Sequence, residues 1–201
     1  MNSETSDVRE LLASAVETLG EGNDQSWHYW MCLFLSNLWE LQFGDSARGD
    51  ELADLLDQFA ERSDDGMARA HASEIHALRA HFAGESEDAR IHLVGALGHY
   101  RQMGLRASCF AHCLDHIALW TLDDGDASHA TSLLGSAEAL RQDHVGAPAP
   151  AAERLWHDQA KETARKELGD AGFELTLARG RDTQPEHAAD LASAVLDRAH
   201  T

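Results

Sequence analysis

The chain has 201 residues, a net charge of −19, and 43% hydrophobic residues with only 6% aromatics. This composition is typical of a folded globular protein, and the strong negative charge argues against direct nucleic-acid contact, which requires a basic surface. No apolar run reaches the roughly 18 residues of a membrane helix, and the N-terminus lacks a signal-peptide pattern. We therefore predict a cytoplasmic protein without a membrane partner. Its three cysteines are an odd number and include no CxxC pair, so we predict reduced thiols and not a disulfide framework.

Helical periodicity runs through the whole sequence, and alternating strand patterns are almost absent. Residues 7–19 are predicted to form the second helix of a unit whose first helix is missing. A terminal half-repeat leaves an apolar face that needs a cover, since terminal repeats are normally capped. The sequence therefore predicts either that the chain is cut from something longer or that it forms a homodimer.

A looser repeat is predicted over residues 26–62, with "GDSARGD" as a long turn between its two helices. The first of these helices is rich in aromatic residues, and their i, i+3, i+4 spacing indicates core packing for most of them. One or two are expected at an interface, because large side chains near an uncovered end suit a partner surface. The aromatic residues are Trp27, Tyr29, Trp30, Phe34 and Trp39.

Two clearer repeats are predicted over residues 67–102 and 107–142, and within them residues 69–100 superpose on residues 110–141 with a shift of 41 residues and no gap. The superposition places Ala77 on Ala118, Gly84 on Gly125, Ala89 on Ala130, and Ala96 on Ala137. Small side chains allow two antiparallel helices to approach closely, and glycine permits a tight turn between them. This pattern resembles the tetratricopeptide repeat. We therefore predict an all-α fold, a tetratricopeptide-like superhelix of antiparallel helix pairs within one domain.

Residues 151–199 are predicted to form C-terminal capping helices, which follow a proline turn inside the same array. The order of motifs resembles the C-terminal end of large bacterial transcription activators that couple a STAND-type ATPase to a LuxR-type or SARP-type DNA-binding domain. The matching residues are Leu133 to Arg141, Pro148, Pro150, Leu168-Gly169, Phe173, Ala178 to Arg181, and Glu186 to Leu196. The resemblance implies a sensor region. The chain itself has no phosphate-binding loop and no basic recognition helix, and no cofactor is predicted.

The repeat frame also brings histidines and carboxylates into corresponding positions. His71 matches His112, and Glu74 matches Asp115, so each first helix offers a histidine and a carboxylate on one face. First helices line the concave groove of a tetratricopeptide array, and we expect Leu78 and Leu119 one turn further along. The predicted groove site comprises His71, Glu74, Leu78, His112, Asp115 and Leu119.

The predicted helix that contains His112 and Asp115 also allows a second interpretation, as a source of metal ligands. His112, His116 and Cys109 are weak candidates for metal ligands, whereas Cys113 lies on the apolar stripe with Ile117 and Trp120. No residue has a recognisable catalytic context.

Two functions remain open at this point. The first is a non-catalytic sensor or interaction module of a bacterial transcription regulator, binding a peptide, a protein or a small effector in its groove. The second is a stand-alone biosynthetic protein or enzyme on the same scaffold, whose histidine and carboxylate groove supports metal-dependent chemistry. The negative charge favours a basic or cationic partner in either case, because an acidic cleft attracts cations.

Overall fold

The computed structural model describes residues 3–21, 27–44, 46–105, 107–143 and 151–198. It is 92% helical, and the described residues contain no strand, so the predicted all-α repeat fold is confirmed. The helices in these ranges are α1 (Ser3–Glu21), α2 (Trp27–Phe43), α3 (Ser46–Ser63), α4 (Gly66–Ala83), α5 (Ser86–Gln102), α6 (Ala107–Asp123), α7 (Ala127–Asp143), α8 (Ala151–Arg181) and α9 (Pro185–Arg198). None of them combines the length and apolarity needed to cross a bilayer.

The two clear repeats form the helix pairs α4–α5 and α6–α7. Their turns use the predicted glycines: Gly84 has φ 78° and Gly125 has φ 86°, a left-handed conformation that residues with a Cβ rarely adopt. The six repeated alanines, which the sequence placed at helix contacts, are all buried with at most 2% exposure. They are Ala77, Ala89, Ala96, Ala118, Ala130 and Ala137. Small side chains therefore set the spacing within each pair, as predicted.

The turn between α2 and α3 is shorter than predicted. Helix α3 begins at Ser46 rather than after the "GDSARGD" segment. Gly49 lies inside α3 despite the low helix propensity of glycine. The Arg79 guanidinium passes over it, 3.0 Å from the position that a Cβ would take, so the absence of a side chain makes room for Arg79. A glycine that was interpreted as a turn residue is instead a packing residue.

Helix α8 is bent at Gly169, where the backbone leaves the helical region with φ 69° and ψ 161°. Only glycine adopts this conformation readily, so the two predicted helical segments meet at a kink instead of a loop. The segment after the kink crosses α7 at two facing glycines. A Cβ on Gly135 or on Gly180 would collide with the backbone of the other helix, and Ser136 Oγ donates a hydrogen bond of 3.0 Å to the Gly180 carbonyl.

Consecutive helices from α1 to α8 pack against each other, whereas α9 packs against α5, α6 and α7. The first helices of successive units also form an inner layer. Helix α2 contacts α4, α4 contacts α6, α6 contacts α8, and α8 returns to contact α2. Trp156 of α8 accordingly belongs to the apolar core formed by α1 to α4. The inner surface of the superhelix is therefore closed by α8.

Helix α1 packs against α2, as predicted for the half-repeat. Arg9 forms a two-pronged ion pair with the buried Glu40, with N–O distances of 2.8 and 2.9 Å. Tyr29, Trp30 and Phe34 are buried whereas Trp27 is 56% exposed, which agrees with the prediction that most of the aromatic residues pack in the core.

Candidate functional site

A group of buried histidines and carboxylates lies where the inner helices meet. His71 and Glu74, three residues apart on α4, are joined by a 2.6 Å contact between Nδ1 and Oε2. The His71 ring lies between two aromatic rings of α2, with centroid distances of 5.1 Å to Trp30 and 4.2 Å to Phe34. The Tyr100 hydroxyl of α5 donates a hydrogen bond to Glu74 Oε2 over 3.4 Å.

Helix α6 adds two histidines, and α8 supplies their carboxylate. His112 Nδ1 lies 2.6 Å from Glu153 Oε2, and the His112 ring is 6.2 Å from that of His71. His116 lies between the two glutamates, with its ring nitrogens 3.7 Å from Glu74 and 3.3 Å from Glu153. We call His71, Glu74, His112, His116 and Glu153 the ionic cluster. Its glutamates are 0% and 3% exposed at the side chain, and its most accessible member, His112, is only 17% exposed.

Asp115 belongs to a neighbouring pair rather than to the ionic cluster. It forms an ion pair with Arg141 of α7, and His157 Nε2 of α8 lies 3.5 Å from its other oxygen. Burial lowers the pKa of His157, although Asp115 acts in the opposite direction. Helix α8 is therefore held to α6 by contacts with two separate carboxylates.

The proton affinities in the ionic cluster are set by opposing effects. Burial alone would lower the pKa of His71, but the Glu74 charge and hydrogen bonds to Cys109 and Glu74 outweigh it and raise the pKa to about 9. The pKa of His112 is raised in the same way, against burial, by Glu153. Burial would raise the pKa of Glu153, but His112 and His116 hold it well below its usual range. The carboxylates of the cluster thus favour the charged form of His71 and His112, and the histidines favour the ionised form of Glu153.

Several polar atoms in this region have no hydrogen-bond partner. They include His71 Nε2, Glu74 Oε1, both ring nitrogens of His116, and Glu153 Oε1. Such orphaned atoms require an explanation, and bound water is the usual one. In the described part of the chain, no group of three or more His, Cys, Asp or Glu side chains is arranged to hold a metal ion. The arrangement of His112, His116 and Cys109 therefore offers no metal site.

The predicted groove site is corrected by these positions. His71 and Glu74 are paired on α4 as expected, but His112 pairs with Glu153 and Asp115 pairs with Arg141. His71, Glu74, Leu78 and Asp115 are buried in helix contacts with at most 4% exposure, so they do not face an open groove. The physical reason is that the first half of α8 occupies the space that an open tetratricopeptide array leaves free. Leu119 of the predicted set lines an open cavity.

The sequence patterns did not identify Tyr100, Glu153 and Arg141 as the hydrogen-bond or ion-pair partners of the predicted site residues. The repeat frame has no position for Glu153, because α8 lies beyond the last clear repeat. Glu153 lies in the first turn of α8, where an acidic residue is ordinarily explained by the helix dipole. A buried partner on another helix cannot be distinguished from such a residue by spacing.

An open cavity of about 350 Å³ lies next to the cluster, at the C-terminal ends of α4 and α6. We call it the Phe82 cleft. Phe82 is 48% exposed and contacts the Trp156 ring, with a centroid distance of 5.1 Å and an interplanar angle of 47°. The cleft is lined by His81, Phe82, Leu119, Leu122, Asp123, Trp156, Gln159, Ala160 and Thr163. Its lining thus combines apolar side chains with polar ones and includes one carboxylate, Asp123.

A second cavity of about 330 Å³ lies on the other side of Phe82, between α2, α3 and α4. Its charged groups are already paired: Glu40 with Arg9, and Arg79 with Asp50. The two cavities share Phe82 as a lining residue.

A scan against models of protein families and searches of curated proteins and of solved structures found no match to this chain. The geometry of the ionic cluster and of the Phe82 cleft is therefore the basis for a function.

Proposed function

We propose that the chain is a tetratricopeptide-like sensor or interaction module of a bacterial transcription regulator, which binds an effector in the Phe82 cleft. The effector is a peptide, one side chain of a protein partner, or a small molecule. The observation that carries this proposal is an open cavity of about 350 Å³ at the junction of three inner helices. Ligand sites are typically concave and mostly apolar, with a few polar groups, and start at about 300 Å³.

The regulator part of the proposal comes from the resemblance of the C-terminal motifs. Those motifs have a shared structural role in this chain, because Gly135 faces Gly180 and Glu138 pairs with Arg181 across the α7–α8 contact. The same contact positions α8, which forms one wall of the Phe82 cleft. The motif residues would thus support the binding surface without touching the effector.

The alternative function, an enzyme that uses a histidine and carboxylate groove, gains no support from the accessible surface. A substrate would have to reach His71, Glu74 or His116, whose side chains are at most 1% exposed. Burial of this kind suits a structural ion cluster better than a reaction centre.

The test is a binding screen with a variant that fills the cleft. Thr163 is exposed and lines the cleft, so Thr163→Trp should occlude it without disturbing the core. Leu175→Trp, on an exposed site of the same helix away from the cleft, is the matched control. Compounds and peptides from a thermal-shift screen should bind the wild type and the Leu175→Trp variant, and should lose binding to Thr163→Trp. If Thr163→Trp binds every hit as well as the wild type does, the cleft is not the effector site.

A further inference from the structure

The rim of the Phe82 cleft carries a carboxylate without a matching permanent positive charge beside it. Asp123, the last residue of α6, has a side chain that is 74% exposed. Its neighbour is His81, whose Nε2 lies 3.5 Å from the carboxylate. Burial lowers the pKa of His81 more than Asp123 raises it, so this imidazole is neutral at pH 7. The carboxylate therefore keeps its negative charge available to a ligand.

The backbone adds to this negative potential. Helices α4 and α6 both end at the cleft, at Ala83 and Asp123. The C-terminal end of a helix carries a partial negative charge from its aligned peptide dipoles. The net charge of −19 extends the same sign over the whole molecule, so cations are concentrated near the cleft and anions are repelled.

The apolar part of the cleft suits the body of such a cation. Phe82 presents a ring that is 48% exposed, and the buried Trp156 and Leu122 line the same cavity together with Leu119. Aromatic faces attract ammonium groups through their quadrupole and also bury apolar surface. The rings and the carboxylate thus lie in one cavity.

We propose that the Phe82 cleft selects a small organic amine, with the ammonium group at Asp123 and an aromatic or aliphatic body against Phe82 and Trp156. This inference rests on the proposed function and names the ligand class for the same site. The ligand is a primary ammonium because a compact cation fits one carboxylate beside two helix C-termini, whose partial negative charge also favours a cation.

The experiment compares three indole probes that differ only in their polar group: tryptamine (cationic), tryptophol (neutral) and indole-3-acetate (anionic). Isothermal titration should give tighter binding for tryptamine than for tryptophol, by about two- to fivefold, and the weakest binding for indole-3-acetate. Asp123→Asn should abolish the preference for tryptamine. Asp124→Asn, which removes the adjacent charge outside the cleft, should preserve it. Phe82→Leu should weaken tryptamine and tryptophol alike.

The outcomes separate this inference from the proposed function. If tryptophol binds as tightly as tryptamine and Thr163→Trp removes both, the cleft is a binding surface and the amine preference is wrong. The amine preference is also wrong if Asp123→Asn and Asp124→Asn behave alike. If none of the probes binds the wild type, the inference fails, while the screen described above still decides the proposed function.

Discussion

The ionic cluster and the Phe82 cleft are built from the same three helices, α4, α6 and α8, yet their chemistry is opposite. The cluster concentrates histidines and carboxylates and is closed to solvent, whereas the cleft is open and lined by both polar and apolar side chains with a single carboxylate. In this chain the residues that look most like a reaction centre hold helices together. The role of an ionisable side chain in a repeat array can therefore be assigned only when the elements that bury it are known.

The largest expected effect comes from removing the carboxylate that joins α8 to α6. Glu153→Ala leaves His112 and His116 buried without their counterion, and breaking a buried pair in this way costs about 3–5 kcal/mol. Urea unfolding should report this loss. Glu162→Ala, on an exposed site of the same helix, should change the free energy of unfolding by less than about 0.5 kcal/mol. A loss below about 1 kcal/mol for Glu153→Ala would mean that the cluster does not hold α8.

The second effect is a dependence of stability on pH. The pKa of His71 is about 9 in the folded state against 6.5 for an unperturbed histidine, so the folded protein binds more protons between these values. The stability from this group is complete below pH 6.5 and is lost as the pH rises through about 9, by up to about 3 kcal/mol. Urea unfolding at pH 6.5, 7.5 and 9 should show this decline. Glu74→Gln should flatten the curve, and an unchanged slope would contradict the assigned pairing.

A smaller effect is expected at the glycine crossing that positions α8 for both regions. Gly180→Ala pushes a methyl group into the Ser132 carbonyl of α7 and should cost about 1–3 kcal/mol. Gly98→Ala is a sharp control, because nothing lies within 4 Å of the new Cβ in α5, and alanine should stabilise that helix by about 0.5–1 kcal/mol. Thermal unfolding should separate the two variants in sign. Equal shifts would show that α7 and α8 are not in close contact.

The smallest effect on stability is expected at the cleft itself. Asp123→Asn and Phe82→Ala alter exposed side chains and should each change the free energy of unfolding by less than about 1 kcal/mol, because solvent already covers much of both groups. Chemical denaturation measures this change directly. Losses of 2 kcal/mol or more would make the cleft a structural feature like the cluster and would erase the contrast between the two regions.

The sequence predicted the helices and their pairing well because small residues recur at fixed spacing in the two clear repeats. Ala89 and Ala130 are recognisable from the shift of 41 residues, and so are the turn glycines Gly84 and Gly125. These signals are local. The site could not be predicted in the same way, since the burial of His71 depends on α8, whose Glu153 is 82 residues away in the chain. A covering helix leaves no periodic signal on the residues that it covers.

The contact between α8 and α2 has a consequence for how the molecule unfolds. In an open solenoid each unit touches only its neighbours, so the ends fray independently and stability is a sum over adjacent pairs. Here Trp156 of α8 shares an apolar core with Leu33 and Phe34 of α2, which joins late elements to early ones. Loss of either element would expose the core of the other. The array is therefore expected to unfold more cooperatively than an open solenoid, in which the ends fray independently.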